Sequence, residues 1–226
     1  MNVPCEFCIY RSFLFDNLDK KEFALLTLSR KEVDFKKGEV ICREGEKIDQ
    51  FLYLKEGLLK VYKSLGERKE QIIGVTKPLD FIGLLSIFSN TTYNFSIAAL
   101  EDSSICTINL SSIKQLIKGN ADFALTLLEK MSTMNDQLLQ NRLTINLKNL
   151  RGRTAFILLL FANDIYKAEK FELPVSRKEI AELIDMRTEN VIRILSEFRN
   201  DGILKIEGKN IEIVDMPRLK QISDFG

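Results

Sequence analysis

The stretch from residue 175 to 215 leaves little freedom in how it can fold. Ser176-Arg177-Lys178-Glu179 has the Ser-x-x-Glu pattern of a capping box, in which the serine hydroxyl and the glutamate carboxylate satisfy free N–H groups at a helix start. Ile180, Leu183 and Ile184 then share one face, and Ala181 is small enough for a close helix crossing. A turn at Asp185-Met186-Arg187 leads into a second helix whose Val191, Ile194, Leu195 and Phe198 point inward, leaving Thr188, Glu189, Asn190 and Arg193 outward on its first two turns. Asp201-Gly202 ends that helix, and residues 203–206 and 211–214 alternate about Glu207-Gly208-Lys209-Asn210 as a β-hairpin does. Together these signals spell a winged helix-turn-helix, a unit that lays its second helix in the major groove of DNA. An ordinary helical hairpin would not call for the cap, the small crossing residue, the outward Glu/Arg pair and the wing all at once.

Upstream the texture changes twice. Between residues 34 and 104 glycines fall at Gly38, Gly45, Gly57, Gly66, Gly74 and Gly83, between β-rich runs at 50–54, 58–63 and 71–75, with closing strands at 96–100 and 104–108. Turn signals at this spacing indicate an antiparallel β-roll or barrel. Helical periodicity follows from about Ser111. Over residues 120–150 apolar side chains recur every three or four positions, among them Leu128, Met131, Leu138 and Ile145. So long a stripe either packs on its own barrel or forms a seam between two subunits. A break at Arg151-Gly152-Arg153 separates it from an apolar helix over 154–166, and Lys167 to Lys170 form a charged loop. The expected class is α+β: a β-barrel over residues 1–119, a long helix over 120–150 and a winged helix-turn-helix over 151–226.

Composition narrows the chemistry. The chain contains no histidine, which removes the commonest general base, the Ser-His and Cys-His nucleophile pairs and histidine-ligated metals. An enzyme is therefore not expected, and there is no glycine-rich phosphate loop to suggest a cofactor enzyme. The first residues, MNVPCEFCIYRSF, lack the pattern of a secretory signal, and the longest apolar run, 155–162, is too short to span a bilayer. A cytoplasmic protein is expected, its four cysteines serving as thiols, ligands or switches more readily than as structural disulfides. The net charge of +1 neither demands nor forbids nucleic acid.

The motifs resemble a known family. Ser-Arg-Lys-Glu-Ile-Ala-Glu-Leu-Ile, Thr-Glu-Asn-Val-Ile-Arg-Ile-Leu, Asp-Gly-Ile-Leu and Gly-Lys-x-Ile look like the DNA-binding domain of the cyclic-AMP-receptor/FNR (CRP/FNR) family, and Lys37-Gly38-Glu39, Glu44-Gly45-Glu46 and Leu54-Lys55-Glu56-Gly57 are similar to its barrel. The resemblance implies a homodimeric, sequence-specific regulator of transcription, in which the barrel is a sensory domain, the long helix a dimerisation helix and the winged helix-turn-helix a DNA-binding domain. It would act on a palindromic operator with TGA-containing half-sites in double-stranded DNA and with RNA polymerase, and no membrane is implied. It also implies that Glu189 and Arg193 read a G·C pair, with Thr188 and Asn190 tuning the flanking bases. Ser176, Arg177, Lys178, Arg187 and Lys209 match phosphate-contacting positions. Arginine can donate twice to guanine and glutamate can accept from cytosine. The match departs at the turn, where Asp185 replaces the usual glycine and Arg187 a Ser or Thr cap. Residues 176–199 carry five basic and five acidic side chains, so affinity must come from placement and two linked half-sites.

Two sets of residues bear on what the barrel senses. The family's cyclic-nucleotide pocket resembles Gly-Glu followed by Arg-Ser or Arg-Thr. The matching stretches here are Phe81-Ile82-Gly83-Leu84-Leu85 and residues 93–100, without the acid or the arginine, so cyclic AMP is not expected. Cys5-x-x-Cys8 and Cys106 match the oxygen-sensing FNR-like branch, whose resemblance implies an iron–sulfur cluster. The branch's further N-terminal cysteine would fall near Leu14, so a fourth ligand would have to be Cys42 or an oxygen ligand such as Asp16. A thiol–disulfide switch and plain packing are the alternatives; for Cys42 packing is the simpler reading. Competing functions are an unknown small-molecule sensor with structural cysteines, a sensory module that leaves DNA alone, and a redox enzyme, which lacks a base and a substrate motif.

Overall fold

The computed structural model describes residues 4–66, 70–84 and 86–226. The chain divides into two compact units, one of residues 1–63 and 74–138, the other of residues 64–73 and 139–226.

In the first unit β1 (Arg30–Phe35), β8 (Ser103–Asn109), β3 (Gln50–Glu56) and β6 (Phe81–Ile82) form one antiparallel sheet in that order. A second sheet has the order β2 (Val40–Cys42), β7 (Ser96–Ala99), β4 (Leu59–Ser64) and β5 (Glu70–Thr76). Buried side chains from both sheets, among them Phe51, Leu54 and Ile105 from one and Leu59 and Ile97 from the other, belong to a single apolar core; β3 and β7 are buried along consecutive residues, Phe51 to Leu54 and Ser96 to Ala99. Helix α1 (Lys20–Ser29), opened by a complete Asp19/Glu22 capping box, adds Phe23 and Leu26 to this core. α2 (Leu110–Gly119) and the first turns of α3 (Ala121–Leu147) add Ile113, Leu116, Phe123 and Leu127. The strand runs read from the sequence all form, whereas α1 and β1 carry no glycine punctuation and escaped it.

Gly57 shows why the turn glycines matter. Its φ is +91°, and a Cβ there would lie 2.2 Å from Ser103 Oγ and 2.6 Å from the Asp102 carbonyl oxygen, so only glycine fits. Gly74, read as a turn, instead lies inside β5. At the Lys77-Pro78-Leu79-Asp80 turn Leu79 adopts φ 71°, a left-handed conformation that costs a residue with a Cβ. The turn presents Asp80 to Lys130 of α3, 3.0 Å away.

The second unit contains the end of α3, α4 (Leu150–Leu159) continuing into a π-helical turn (Leu160–Tyr166), α5 (Arg177–Leu183), α6 (Thr188–Asn200) and α7 (Met216–Phe225). A three-stranded sheet of order β10 (Leu204–Glu207), β11 (Asn210–Ile213) and β9 (Lys170–Glu172) completes it. Two expectations need correction. The helix break lies at Lys148-Asn149: Asn149 caps α4 by accepting from the Gly152 N–H at 3.0 Å, and Gly152 is helical. A Cβ on Gly152 would come within 2.7 Å of the Gly226 backbone, so this glycine permits a close approach and ends nothing. Lys170, expected in a loop, begins β9, which pairs with β11 and widens the wing.

Candidate nucleic-acid interface and thiol cavity

Both halves of the capping box on α5 form: the Glu179 N–H donates to Ser176 Oγ at 3.2 Å and the Ser176 N–H to Glu179 Oε2 at 2.8 Å. Asp185 turns the chain with φ 53°, a left-handed conformation aspartate tolerates. Arg187 is the N-cap of α6 and makes no side-chain cap hydrogen bond, so α6 starts without the oxygen acceptor that usually serves there. Buried Val191, Ile194, Leu195 and Phe198 hold α6 against its neighbours in the unit.

Glu189 and Arg193 are exposed and Thr188 and Asn190 half-buried, all within the first two turns of α6. Ser176, Lys178, Arg187 and Lys209 are exposed as well, Lys178 lying 3.6 Å from Glu182. Arg177 differs. It is half-buried and its Nη2 donates to the Gly208 carbonyl at 3.1 Å, tying α5 to the wing.

Two features of α6 were missed in the sequence. Ile192 is 50% exposed beside Arg193; its position outside the Val191/Ile194/Leu195/Phe198 face was a legible signal. It is a side chain of the kind that packs on a thymine methyl. Glu197 accepts from Arg193 Nη1 at 2.5 Å on one oxygen and from Arg151 Nη1 on the other. Arg151 also reaches Asp201 Oδ2 at 3.0 Å and lies over the Phe198 ring, 5.0 Å from its centroid. No local pattern announces this, because Arg151 and Glu197 are 46 residues apart.

In the first unit Cys5, Cys8 and Cys106 line one cavity with Arg30, Tyr53 and Lys55. Cys106 lies on β8, paired across to Glu32 of β1 on one side and to Tyr53 of β3 on the other. Cys5 begins and Cys8 caps a 3-10 turn held to α1 by the Cys5 N–H, which donates to Thr27 Oγ1 at 3.2 Å; two residues beyond Cys8 the Tyr10 carbonyl accepts from the Tyr53 hydroxyl of β3 at 2.5 Å, which ties the segment to the sheet. Burial pushes the Cys106 thiol up to about 11, against the pull of the Arg30 guanidinium beside it. Arg30 and Lys55 share Glu32, at 2.9 and 2.7 Å, and the Lys55 hydrogen bond holds the Glu32 carboxyl below its usual range. Cys42 is buried in the other sheet, its thiol pushed up to about 12 by burial, and Asp16 pairs with Arg11 at 3.2 Å. Neither lines the cavity. Among the described residues no three acidic, cysteine or histidine side chains sit close enough together to hold a metal ion.

Thiolates are the ligands an iron–sulfur cluster takes, and Arg30 and Lys55 would offset their charge, but as placed Cys5, Cys8 and Cys106 share a cavity without standing close enough together to hold a metal ion. A fourth soft ligand is not among the lining residues.

A model of the cyclic nucleotide-binding domain matches residues 32–120, and a model of the Crp-like helix-turn-helix domain matches residues 152–222. The chain belongs to the CRP/FNR family. It is 29% identical over 184 residues to the transcriptional activator protein anr of Pseudomonas aeruginosa, covering 80% of this chain and 75% of that one. It is also 29% identical over 193 residues to electron transport regulator A of Shewanella oneidensis, covering 83% and 76%. The fold matches that of FixK2 from Bradyrhizobium japonicum with a TM-score of 0.78 at 24% identity, over 85% of this chain and 96% of that one.

As a CRP/FNR protein this chain is a DNA-binding transcription regulator whose first unit has the cyclic nucleotide-binding fold. Where the family resemblance would place a phosphate-neutralising acid and arginine, Phe81, Ile82, Leu84, Ile97, Ala98 and Ala99 are buried and apolar; Leu85 lies outside the described residues. Of the four dimer candidates on α3, Leu128 is exposed, Met131 is partly buried against the barrel core, Leu138 is half-buried and Ile145 is buried within its own chain. Leu125, Leu139, Leu143 and Leu147 join Leu128 as exposed apolar side chains. Among the described residues no helix is long and apolar enough to cross a membrane.

Proposed function

We propose that this regulator is a cytoplasmic homodimer that binds a two-fold symmetric operator with TGA-containing half-sites, and that the redox state of Cys5, Cys8 and Cys106 sets its DNA affinity. Residues 1–119 sense, 120–150 dimerise and 151–226 bind DNA. Arg193 reads guanine and Glu189 its cytosine partner, Thr188 and Asn190 tune the flanks, and Ser176, Lys178, Arg187 and Lys209 hold phosphates, which sets register more than sequence. Bound at a promoter, the dimer would meet RNA polymerase.

The observation that carries the redox reading is the cavity lined by three cysteines, two from the N-terminal turn and one from β8. An iron–sulfur cluster held by Cys5, Cys8 and Cys106, with a fourth ligand from outside the cavity, would supply an oxygen-reactive centre. At neutral pH the Cys106 thiol carries its proton, so ligation there releases it. Arg30 stands beside the sulfur that this leaves charged. Because β8 runs directly into α2, and α2 into α3, a change at Cys106 reaches the dimer helix through continuous secondary structure. A similarity to cyclic nucleotide-binding domains does not by itself imply cyclic AMP: buried apolar Leu84, Ile97 and Ala98, where the family's phosphate-neutralising residues would fall, favour a different input.

Purification without oxygen, with iron and sulfide supplied, tests this. Visible absorption with bound iron and sulfide is expected, together with a change in operator affinity of tenfold or more on air exposure, within the usual range of allosteric coupling. Cys5→Ser and Cys106→Ser should lose both. A disulfide in air without iron would favour the thiol switch. If no state contains iron, sulfide or a disulfide, and both variants respond like wild type, the redox reading is wrong.

A further inference from the structure

We infer that Glu197 is a positioning residue for base reading: clamped by Arg151, its carboxylate holds Arg193 by one Nη1 edge and leaves the remaining guanidinium donors to face a base. The inference rests on the reading of Arg193 as the guanine contact.

Helix stability does not account for the Arg193–Glu197 pair. In an i, i+4 pair the acid helps more when it precedes the base, and here the arginine comes first. Glu197 also stands in the last turn of α6, followed by Asp201 at the C-cap. Two acids there oppose the helix dipole. A carboxylate close to DNA would further repel phosphate unless it were neutralised.

Arg151 answers each of these costs. It reaches both Glu197 and Asp201 and packs over the Phe198 ring, so the carboxylate it holds is fixed at about one-third exposure, 31%, while Arg193 remains 58% exposed. A guanidinium has five N–H donors. Glu197 engages Nη1 alone, which leaves Nε and Nη2, a side-on fork of the kind that fits the O6 and N7 acceptors of guanine. Fixing the long arginine side chain before DNA arrives removes part of the ordering cost of binding. The chain of charges Arg193, Glu197, Arg151 and Asp201 thus carries rigidity from α4 to the reading head.

The test uses the full-length protein and a duplex it selects from a randomised pool, with discrimination read as the ratio of Kd after and before replacing the guanine of one half-site. Glu197→Ala is expected to lower that ratio about tenfold, a typical coupling between contacting residues, while affinity for scrambled DNA stays level or rises. Glu197→Gln, which keeps a carbonyl acceptor for Arg193, should fall between Ala and wild type. In an Arg193→Ala background neither change should lower discrimination further. Thermal melting of Glu197→Gln guards against a folding defect in the alanine variant. If Arg193→Ala lowers discrimination and Glu197→Ala does not, or if the two losses simply multiply, Glu197 is not a positioning residue. If Arg193→Ala itself leaves discrimination intact, the reading of Arg193 fails first, and the role of Glu197 falls with it.

Discussion

A protein with glutamate at both Leu139 and Leu143 is expected to run as a monomer and to lose at least about a hundredfold of its operator affinity, the lower end of what linking two sites contributes. The two leucines are 54% and 53% exposed on α3, and Leu147 one turn further is 85% exposed. Full burial of a leucine is worth about 1.5–3 kcal/mol, and a two-fold seam buries each side chain twice. Ser132 and Asn135 interrupt the apolar run between Leu128 and Leu139; polar residues inside such a seam fix its register at some cost in stability. Ile145 is a poorer target, because it is buried within its own chain and changing it would mix a loss of stability into the measurement. Light scattering and a mobility-shift titration on the same preparations decide the matter. A double variant that stays dimeric, or a wild type that is monomeric with and without oxygen, would remove α3 as the seam.

Replacing Arg193 by alanine should cost 1–3 kcal/mol, about 10- to 100-fold, at the guanine it reads and little elsewhere. Lys178→Ala should weaken specific and scrambled DNA alike, since a phosphate contact carries no sequence information. Both side chains are well exposed, at 58% and 63%, so neither change opens a cavity and any loss belongs to the interface. Competition titrations with single-base variants of the selected duplex separate the two patterns. An equal loss on all sequences for Arg193→Ala would return that residue to the phosphate-contacting set.

How legible these features were depended on the range of the interactions that create them. The cap at Ser176, the turn at Asp185 and the phase of α6 are settled within a few residues, and each formed where the sequence placed it. The start of α4 was misplaced because Gly152 reads as a breaker until Gly226 is seen pressed against it. β9 is three residues long and exists through its pairing with β11, which no local pattern reveals. Cys5 and Cys106 could be paired only by resemblance; the β1–β8–β3 pairing and the Tyr53 tether are what bring them to one cavity. Arg177 matches a phosphate-contacting position, and one of its Nη donors also goes to the Gly208 carbonyl, a link across 31 residues that no local pattern shows.

That last contact bears on how the protein behaves in a crowded, salty cell. The affinity of a protein for duplex DNA falls with salt in proportion to the phosphates it neutralises, about 0.9 logarithmic units per contact, because each displaces a condensed counterion. With Arg177 hydrogen-bonded to the wing, Lys178, Arg187 and Lys209 of each protomer are the cations proposed for that exchange, about six in a dimer. A slope of log Kd against log salt of about five is therefore expected in a potassium chloride titration, and one near about seven would show that Arg177 leaves Gly208 for the backbone. A regulator with that slope would hold its operator tightly at low ionic strength and release it steeply as salt rises.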